Sequence, residues 1–190
     1  MGTDATNEDP GWPSLGRILL ALVPGYLQTI NRRSDPLLAL RAVFVSFSGS
    51  LVLFGVVLAT LPNTRPTHVM PWLALVVVVA VVTSIGASLT MKPLNCSSAS
   101  TLAGSYRTRL FLAIAFSQTV ALFGFCFVFI GAPRWVYDVA AVFAILRMWT
   151  LDPPTPRRLR AHQAELTAAG CELSLVGALR RSATPPPPPG

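Results

Sequence analysis

Asp138 is the only carboxylate within the four long apolar stretches of this 190-residue chain. An acid inside a segment that crosses a membrane is costly to bury, and it is therefore a candidate for binding or carrying an ion. Arg134 stands four residues earlier, and side chains at that spacing share one face of a helix. Because both residues lie close to the start of their stretch, we predict an Arg134–Asp138 ion pair at the membrane interface in preference to an ion-carrying carboxylate.

The other polar side chains at the centres of these stretches are uncharged. Gln118 and Thr119 lie near the middle of the third stretch, and Ser46, Ser48 and Ser50 lie in the first. Amide and hydroxyl groups at such positions form hydrogen bonds between membrane helices. The alternative is that they line a polar path for a solute.

Motifs for catalysis or metal binding are missing from the sequence. It contains no nucleophile elbow, no glycine-rich phosphate loop and no cluster of histidines or carboxylates. The two histidines, His68 and His162, stand alone and are predicted to be surface residues. We therefore predict a protein that is not an enzyme and that holds no cofactor or metal.

The three cysteines share no motif either. Cys126 lies in the third apolar stretch, whereas Cys96 and Cys171 fall in segments that we assign below to the cytoplasm. Reducing compartments keep thiols free, so the sequence argues against a disulfide.

The elements that position these residues are predicted to be membrane helices. Of all residues, 52% are apolar and 12% are charged, whereas a soluble domain contains about a quarter charged residues. The apolar runs are long enough to cross a hydrocarbon core about 30 Å thick. We predict an all-α integral membrane protein with a four-helix bundle in residues 37–151. The predicted crossings cover residues 37–61, 71–91, 110–130 and 134–150.

The segments that flank these crossings have a different composition. Residues 1–13 are predicted to be a disordered acidic leader, and residues 183–190 a disordered polyproline end. Residues 14–33 place apolar residues opposite a polar face, which predicts an amphipathic helix that either lies on the membrane surface or docks on the bundle. Residues 152–182 are predicted to form a basic cytoplasmic helical tail, and residues 94–105 a polar loop.

Small and polar residues mark the predicted packing faces, because membrane helices associate through close contact of small side chains. In the third crossing, residues at spacings of four, four and three share one face, with Gln118 and Thr119 beside it: Ala113, Ser117, Ala121 and Gly124. The packing face of the first crossing is predicted to contain Ser46, Ser48, Gly49, Ser50 and Gly55.

Positive charge is distributed unevenly around the crossings. Only Arg65 and Arg134 lie in turns on the side opposite the termini, and the other thirteen of the fifteen cations lie on the side of the termini. Because basic residues remain in the cytoplasm, we predict a multi-pass plasma membrane protein with both termini cytoplasmic. The residues predicted to contact anionic headgroups or a soluble partner are Arg32, Arg33, Arg157, Arg158 and Arg160. This distribution accounts for the net charge of +7 without a nucleic acid ligand.

An internal similarity links the first and third crossings. Residues Phe47–Gly55 and Phe116–Gly124 are identical at five of nine positions, at an offset of 69. Chance similarity between apolar helices is one explanation. We favour duplication of a two-helix unit, which predicts that the two copies run parallel.

The surroundings of Gln118 resemble a known family. The residues Arg107-Thr108, Phe111, Ile114-Ala115, Gln118 and Ala121–Gly124 are similar to the second helix of the c subunit, the proteolipid of the rotor ring of rotary ATP synthases. The resemblance covers about residues 71–131. It implies a helical hairpin with a polar cytoplasmic loop, several copies of which form a ring that carries protons or sodium.

The chain departs from this family at two places. The ion-binding carboxylate of the family falls on Gln118, an amide that does not exchange a proton near neutral pH. The glycine ladder of the family's first helix is replaced by Val76–Val79. The resemblance therefore implies the packing geometry of a c subunit without its ion carriage.

We accordingly predict a non-catalytic polytopic membrane protein that is a structural or accessory component of a membrane complex, either as a homo-oligomer or with other subunits. The alternative is an oligomeric transporter or channel for a small solute or ion, in which Gln118 and the intramembrane serines line the path.

Overall fold

The computed structural model describes residues 36–61, 70–151 and 153–181. The described residues form helices joined by short connections, and no strand occurs among them. The helices are α1 (Pro36–Ala59), α2 (Met70–Thr90), α3 (Ala99–Phe129), α4 (Trp135–Leu151), α5 (Pro156–Ala168) and α6 (Leu175–Arg181). The predicted leader, amphipathic helix and polyproline end lie outside these residues, as do Arg32 and Arg33.

Among the described residues, three helices are long and apolar enough to cross a membrane. They are Ala39–Ala59 within α1, Met70–Thr90 and Ala99–Phe129, with mean hydropathies of 2.3, 2.4 and 2.1 over their most apolar windows. The all-helical class predicted from the sequence is therefore confirmed for the described residues, and these three helices suggest a membrane protein. Helix α4 forms where a fourth crossing is predicted, but its 17 residues span only about 26 Å at 1.5 Å per residue.

The chain divides into two compact units. The first, called here the disulfide unit, contains the described residues 36–45, 93–108 and 154–181. The second, called the apolar unit, contains the described residues 46–61, 70–92, 109–151 and 153. The first unit thus groups the first residues of α1 and α3 with the described part of the tail.

Within the apolar unit, α1 and α3 run parallel. The side chain of Gln118 reaches the backbone of Phe47, and seven residues further along both helices the rings of Phe54 and Phe125 lie 5.3 Å apart. Helix α4 runs in the opposite direction to α1, since Arg134 contacts Ala59 near the end of α1.

Helices α2 and α4 run parallel to each other. Val76 packs with Val136 and Ala140 in one buried cluster, and one to two turns later Arg147 contacts residues of α2 from Ala80 to Ser84. The four helices that contribute to the apolar unit thus pack along their lengths, around small cores such as Leu51, Leu58, Ala121, Tyr137, Ala141 and Ala144.

The surface of the apolar unit is unusually hydrophobic. Twenty-five large apolar side chains are exposed among the described residues, and all of them belong to this unit. Val52, Val82 and Leu146, for example, are 60%, 61% and 60% exposed. Soluble proteins rarely present apolar surface on this scale, whereas helices in contact with lipid require it.

The disulfide unit contains a bond that the sequence argues against. Cys96, before α3, and Cys171, after α5, form a disulfide with their Cα atoms 6.1 Å apart. The expectation of free thiols at these positions is wrong. That expectation came from assigning both residues to a reducing compartment. The two cysteines are also 75 residues apart, so no local sequence pattern indicates that they pair.

Buried polar side chains distinguish this unit as well. Arg41 is only 2% exposed and donates from Nε to the carbonyl of Pro154 at 3.0 Å. His162 is 2% exposed, so its prediction as a surface residue is wrong. Its Nδ1 lies 3.2 Å from a carboxylate oxygen of Glu165, and its ring packs edge-on against Tyr106. The unit therefore has a specific interior of its own.

Helix α3 begins earlier than the sequence predicts. The composition of residues 94–105 favours a loop, but α3 starts at Ala99. Ser98 accepts a hydrogen bond from the amide of Thr101, and the Thr101 hydroxyl accepts one from the amide of Ser98. This reciprocal cap satisfies amides that have no partner within the helix, so serines typical of a loop start a helix here.

Candidate helix-packing site

Gln118 joins three helices in the apolar unit. Its side chain on α3 donates from Nε2 to the carbonyl of Phe47 on α1 at 2.8 Å, and the same nitrogen lies 3.8 Å from the sulfur of Met148 on α4. The residue is 8% exposed. The carbonyl of Phe47 also accepts a hydrogen bond from the hydroxyl of Ser50 at 2.8 Å, so Gln118 shares this acceptor. This hydrogen bond between two uncharged groups links α1 and α3.

Ser117 and Gly124 lie on the buried side of α3, as the spacing of small residues predicts. Ser117 is fully buried and its hydroxyl donates to the carbonyl of Ala113 at 2.8 Å. At Gly124, an added Cβ would lie 2.6 Å from the Cβ of Ala140 and 3.4 Å from the Cα of Tyr137. Only glycine permits α4 to approach this closely.

The small residues of α1 behave differently from one another. A Cβ at Gly55 would meet the Tyr137 ring at 3.4 Å, so Gly55 faces α4. Gly49 is exposed, and a Cβ added there would meet nothing within 4 Å. Ser48 is half-buried, and the hydroxyl of Ser50 donates to the carbonyl of Phe47 in its own helix at 2.8 Å. The structure therefore brings Gly55 into the packing site and leaves Gly49 outside it.

The contacts of Thr119 and Tyr137 could not be predicted from their spacing along the helices. Thr119 is half-buried, and its hydroxyl donates to Ala115 in its own helix at 2.8 Å, so it links no second helix. A tyrosine near the start of a crossing is typical of a membrane interface, but Tyr137 is 1% exposed and donates from its hydroxyl to the carbonyl of Leu51. No signal in the sequence separates this tyrosine from an interfacial one, because its acceptor lies 86 residues away.

Arg134 and Asp138 are not brought together. Arg134 donates from Nη1 to the carbonyl of Ala59 at 3.3 Å. Asp138 is exposed and lines a groove of about 340 Å³ between α1 and α4, whose walls are otherwise apolar apart from Tyr137. The described residues offer this carboxylate no cation, so the geometry does not contain the predicted ion pair.

Arg147 forms a polar cluster that the sequence does not indicate. Its place near the end of a crossing predicts an interfacial anchor, but its side chain is half-buried against α2. Nη1 contacts the carbonyl of Ala80 at 3.4 Å and the hydroxyls of Thr83 and Ser84, and Nη2 contacts the carbonyl of Thr83 at 3.3 Å. The cluster ties α4 to α2 by means of a charged group.

The basic residues of the tail occupy helix α5. Arg157 and Arg160 are exposed, and Arg158 is half-buried. The amide of Arg158 donates to the hydroxyl of Thr155, which caps the helix, and Arg160 donates from Nε to the carbonyl of Pro156 at 3.3 Å. Two of the three guanidinium groups are thus accessible for headgroups or a partner.

Comparisons with known proteins provide no relative: no protein-family model, no curated protein and no solved structure matches this chain. Its chemistry therefore has to be inferred from the geometry of its own residues.

Proposed function

We propose that the chain is a non-catalytic, multi-pass component of a membrane complex. In this proposal α1 to α4 cross the plasma membrane, both termini lie on the same side of it, and the third crossing keeps the packing of a c subunit without a proton-carrying carboxylate. The complex is formed with further copies of the chain or with other subunits.

The observation that carries the proposal is the hydrogen bond from Gln118 to Phe47. A side chain that guides a solute must turn its polar group toward the path, whereas the Gln118 amide is 8% exposed and points to a backbone carbonyl of α1 at 2.8 Å. In hydrocarbon an amide is stable when such an acceptor is available. The contact supports a role in holding helices together at the position where the family resemblance implies an ion site.

The close approach at Gly124 supports the same role. The contact between Gly124 and Ala140 leaves no space for even a methyl group between α3 and α4. A path for a solute would need separation at this interface. Tight packing at Gly124 and a satisfied amide at Gln118 both favour a rigid scaffold.

A fourth crossing by α4 is supported by its contacts along α2. The two helices touch from Val76 and Val136 to Ser84 and Arg147, and α4 exposes apolar residues such as Val142 (57%). Although α4 has only 17 residues, a bilayer can thin locally around a short membrane helix.

Purification in mild detergent, followed by reconstitution, tests the proposal. We expect the chain to co-purify with a constant stoichiometry of partners or copies, and the purified chain alone to produce no solute or ion flux in liposomes. A flux that Gln118→Leu abolishes while assembly is unchanged would overturn the proposal and favour a transporter. Thr119→Val is the matched control, because Thr119 bonds only within its own helix.

A further inference from the structure

The contacts of Arg147 with described residues of α2 are all to neutral acceptors. Its four contacts are to the carbonyls of Ala80 and Thr83 and to the hydroxyls of Thr83 and Ser84. Among the described residues, no carboxylate lies within ion-pair distance of this guanidinium. Carbonyls and hydroxyls stabilise a guanidinium beside apolar helices without neutralising its charge, so an anionic ligand would add a favourable interaction at this site.

The guanidinium has one edge available for such a ligand. Nη1 makes three of the four contacts, and Nε makes no hydrogen bond to a described residue. Nε and Nη2 together form the planar fork that pairs with two oxygens of a phosphate. The side chain is half-buried, so part of it is accessible from the surface of the unit.

Thr83 and Ser84 orient this fork. The hydroxyl of Thr83 donates to Val79 at 2.8 Å and that of Ser84 donates to Ala80 at 2.6 Å, both within α2. Because their hydrogen atoms are used in this way, both hydroxyls present lone pairs to Arg147. They are positioning residues, and Arg147 is the residue that would contact the ligand.

The position along the helix and the surrounding surface fit a lipid. Arg147 stands four residues before the end of α4, which places it about 6 Å from that end, close to headgroup level. One turn toward the middle of the two helices, Val77 and Val81 on α2 are 57% and 50% exposed, and Phe143 on α4 is 38% exposed. A phosphate on Arg147 would leave acyl chains against these apolar side chains.

We propose that Arg147, oriented by Thr83 and Ser84, binds the phosphate of an anionic phospholipid beside α2 and α4. A headgroup with net negative charge compensates the guanidinium, whereas the quaternary ammonium of a zwitterionic headgroup offsets its own phosphate. The site requires that the protein lies in a membrane, but it does not depend on the accessory role proposed above.

Native mass spectrometry of the full chain, released from a mixture of phosphatidylglycerol and phosphatidylcholine, tests this site. We expect the wild-type chain to retain phosphatidylglycerol preferentially. Arg147→Gln should reduce that preference about fivefold, the strength of one basic side chain at an anionic surface. Arg134→Gln is the matched control, because Arg134 lies at the other end of α4 and contacts a single carbonyl. Its lipid preference should not change.

Two further variants keep the test informative if Arg147→Gln does not fold. Ser84→Ala retains the charge and removes one orienting hydroxyl, and Arg147→Lys retains the charge and removes the fork, so each should lower the preference by a smaller factor. An unchanged preference in all three variants, or an equal loss in Arg134→Gln, would overturn the proposal. Displacement of the lipid by millimolar inorganic phosphate would also overturn it, since the site would then bind a free anion.

Discussion

The two units of this chain are both helical, but they differ in which side chains they expose and which they bury. The disulfide unit exposes no large apolar side chain among its described residues, and it buries Arg41 and His162 at 2% exposure each. The apolar unit exposes twenty-five such side chains and buries small residues and single polar contacts. The first pattern is that of a domain in water, and the second is that of helices in lipid.

Helices α1 and α3 each contribute residues to both units. Residues 36–45 and 99–108 group with the disulfide unit, whereas residues 46–59 and 109–129 group with the apolar unit. In α3 this change lies next to residue 110, where the sequence predicts that the third crossing starts. The exposure of large apolar side chains changes at the same places, because only the later part of each helix exposes them.

The disulfide unit combines two features that favour opposite sides of the membrane. It carries Cys96–Cys171, which is typical of an oxidising compartment, together with the tail arginines that the positive-inside rule assigns to the cytoplasm. Thiol trapping distinguishes the two compartments in the intact cell.

The largest predicted effect is the loss of the disulfide. Cys171→Ala should lower the unfolding free energy of the disulfide unit by about 2–4 kcal/mol, and hydrogen exchange should rise in α5 and α6 but not in α2. Cys126→Ser is the control, because Cys126 is an exposed free thiol. Equal acceleration of exchange in α2 would show that the two units do not unfold separately.

In cells, maleimide trapping followed by denaturation should modify one thiol, Cys126, before reduction and three after it. Three reactive thiols before reduction would place the unit in a reducing compartment and contradict the bond between Cys96 and Cys171.

A smaller effect is expected from crowding the apolar unit. Gly124→Ala places a methyl group 2.6 Å from Ala140, and such overpacking should cost about 1–3 kcal/mol. Gly49→Ala adds the same methyl group where nothing lies within 4 Å. Denaturation in graded detergent mixtures compares the two variants. A larger destabilisation by Gly49→Ala than by Gly124→Ala would contradict the assignment of Gly124 to the packing site.

The smallest effect concerns the hydrogen bond of Gln118. Gln118→Leu removes the bond to Phe47 but preserves apolar bulk, so it should cost about 1 kcal/mol or less, the strength of a hydrogen bond between membrane helices. Thr119→Val should cost less, since Thr119 bonds only to Ala115 in its own helix. A double-mutant comparison with Gly124→Ala should show near-additive losses. Complete loss of folding in Gln118→Leu would mean that the amide has further partners.

Much of the helical framework could be predicted from the sequence. Helices α1, α2 and α4 begin within one residue of the predicted crossings, because runs of apolar residues bounded by proline or charge define their limits. The start of α3 could not be predicted in this way. Its cap depends on the reciprocal bonds of Ser98 and Thr101, and the same residues are common in loops.

The sites were less predictable than the helices. The spacing of small residues correctly predicted that Ser117 and Gly124 are buried. It also selected Gly49 as a packing residue, but a Cβ added there would meet nothing within 4 Å. Periodicity shows which residues share a helix face, but it does not show which face contacts a neighbouring helix. Arg147 could not be recognised as part of a cluster, because its partners lie 63 or more residues away in the sequence. Long-range contacts of this kind follow from packing and leave no local pattern.

The most direct test of the account compares the surfaces of the two units in a bilayer. In a Cys126→Ser background, Val78→Cys introduces a thiol in the middle of α2, where the side chain is 56% exposed, and Thr167→Cys introduces one at an exposed position of α5. When a charged maleimide has access to both faces of the bilayer, it should label Thr167→Cys rapidly. It should leave Val78→Cys unlabelled until the protein is denatured in detergent. Comparable labelling of both thiols in the intact bilayer would contradict the assignment of the apolar unit to lipid.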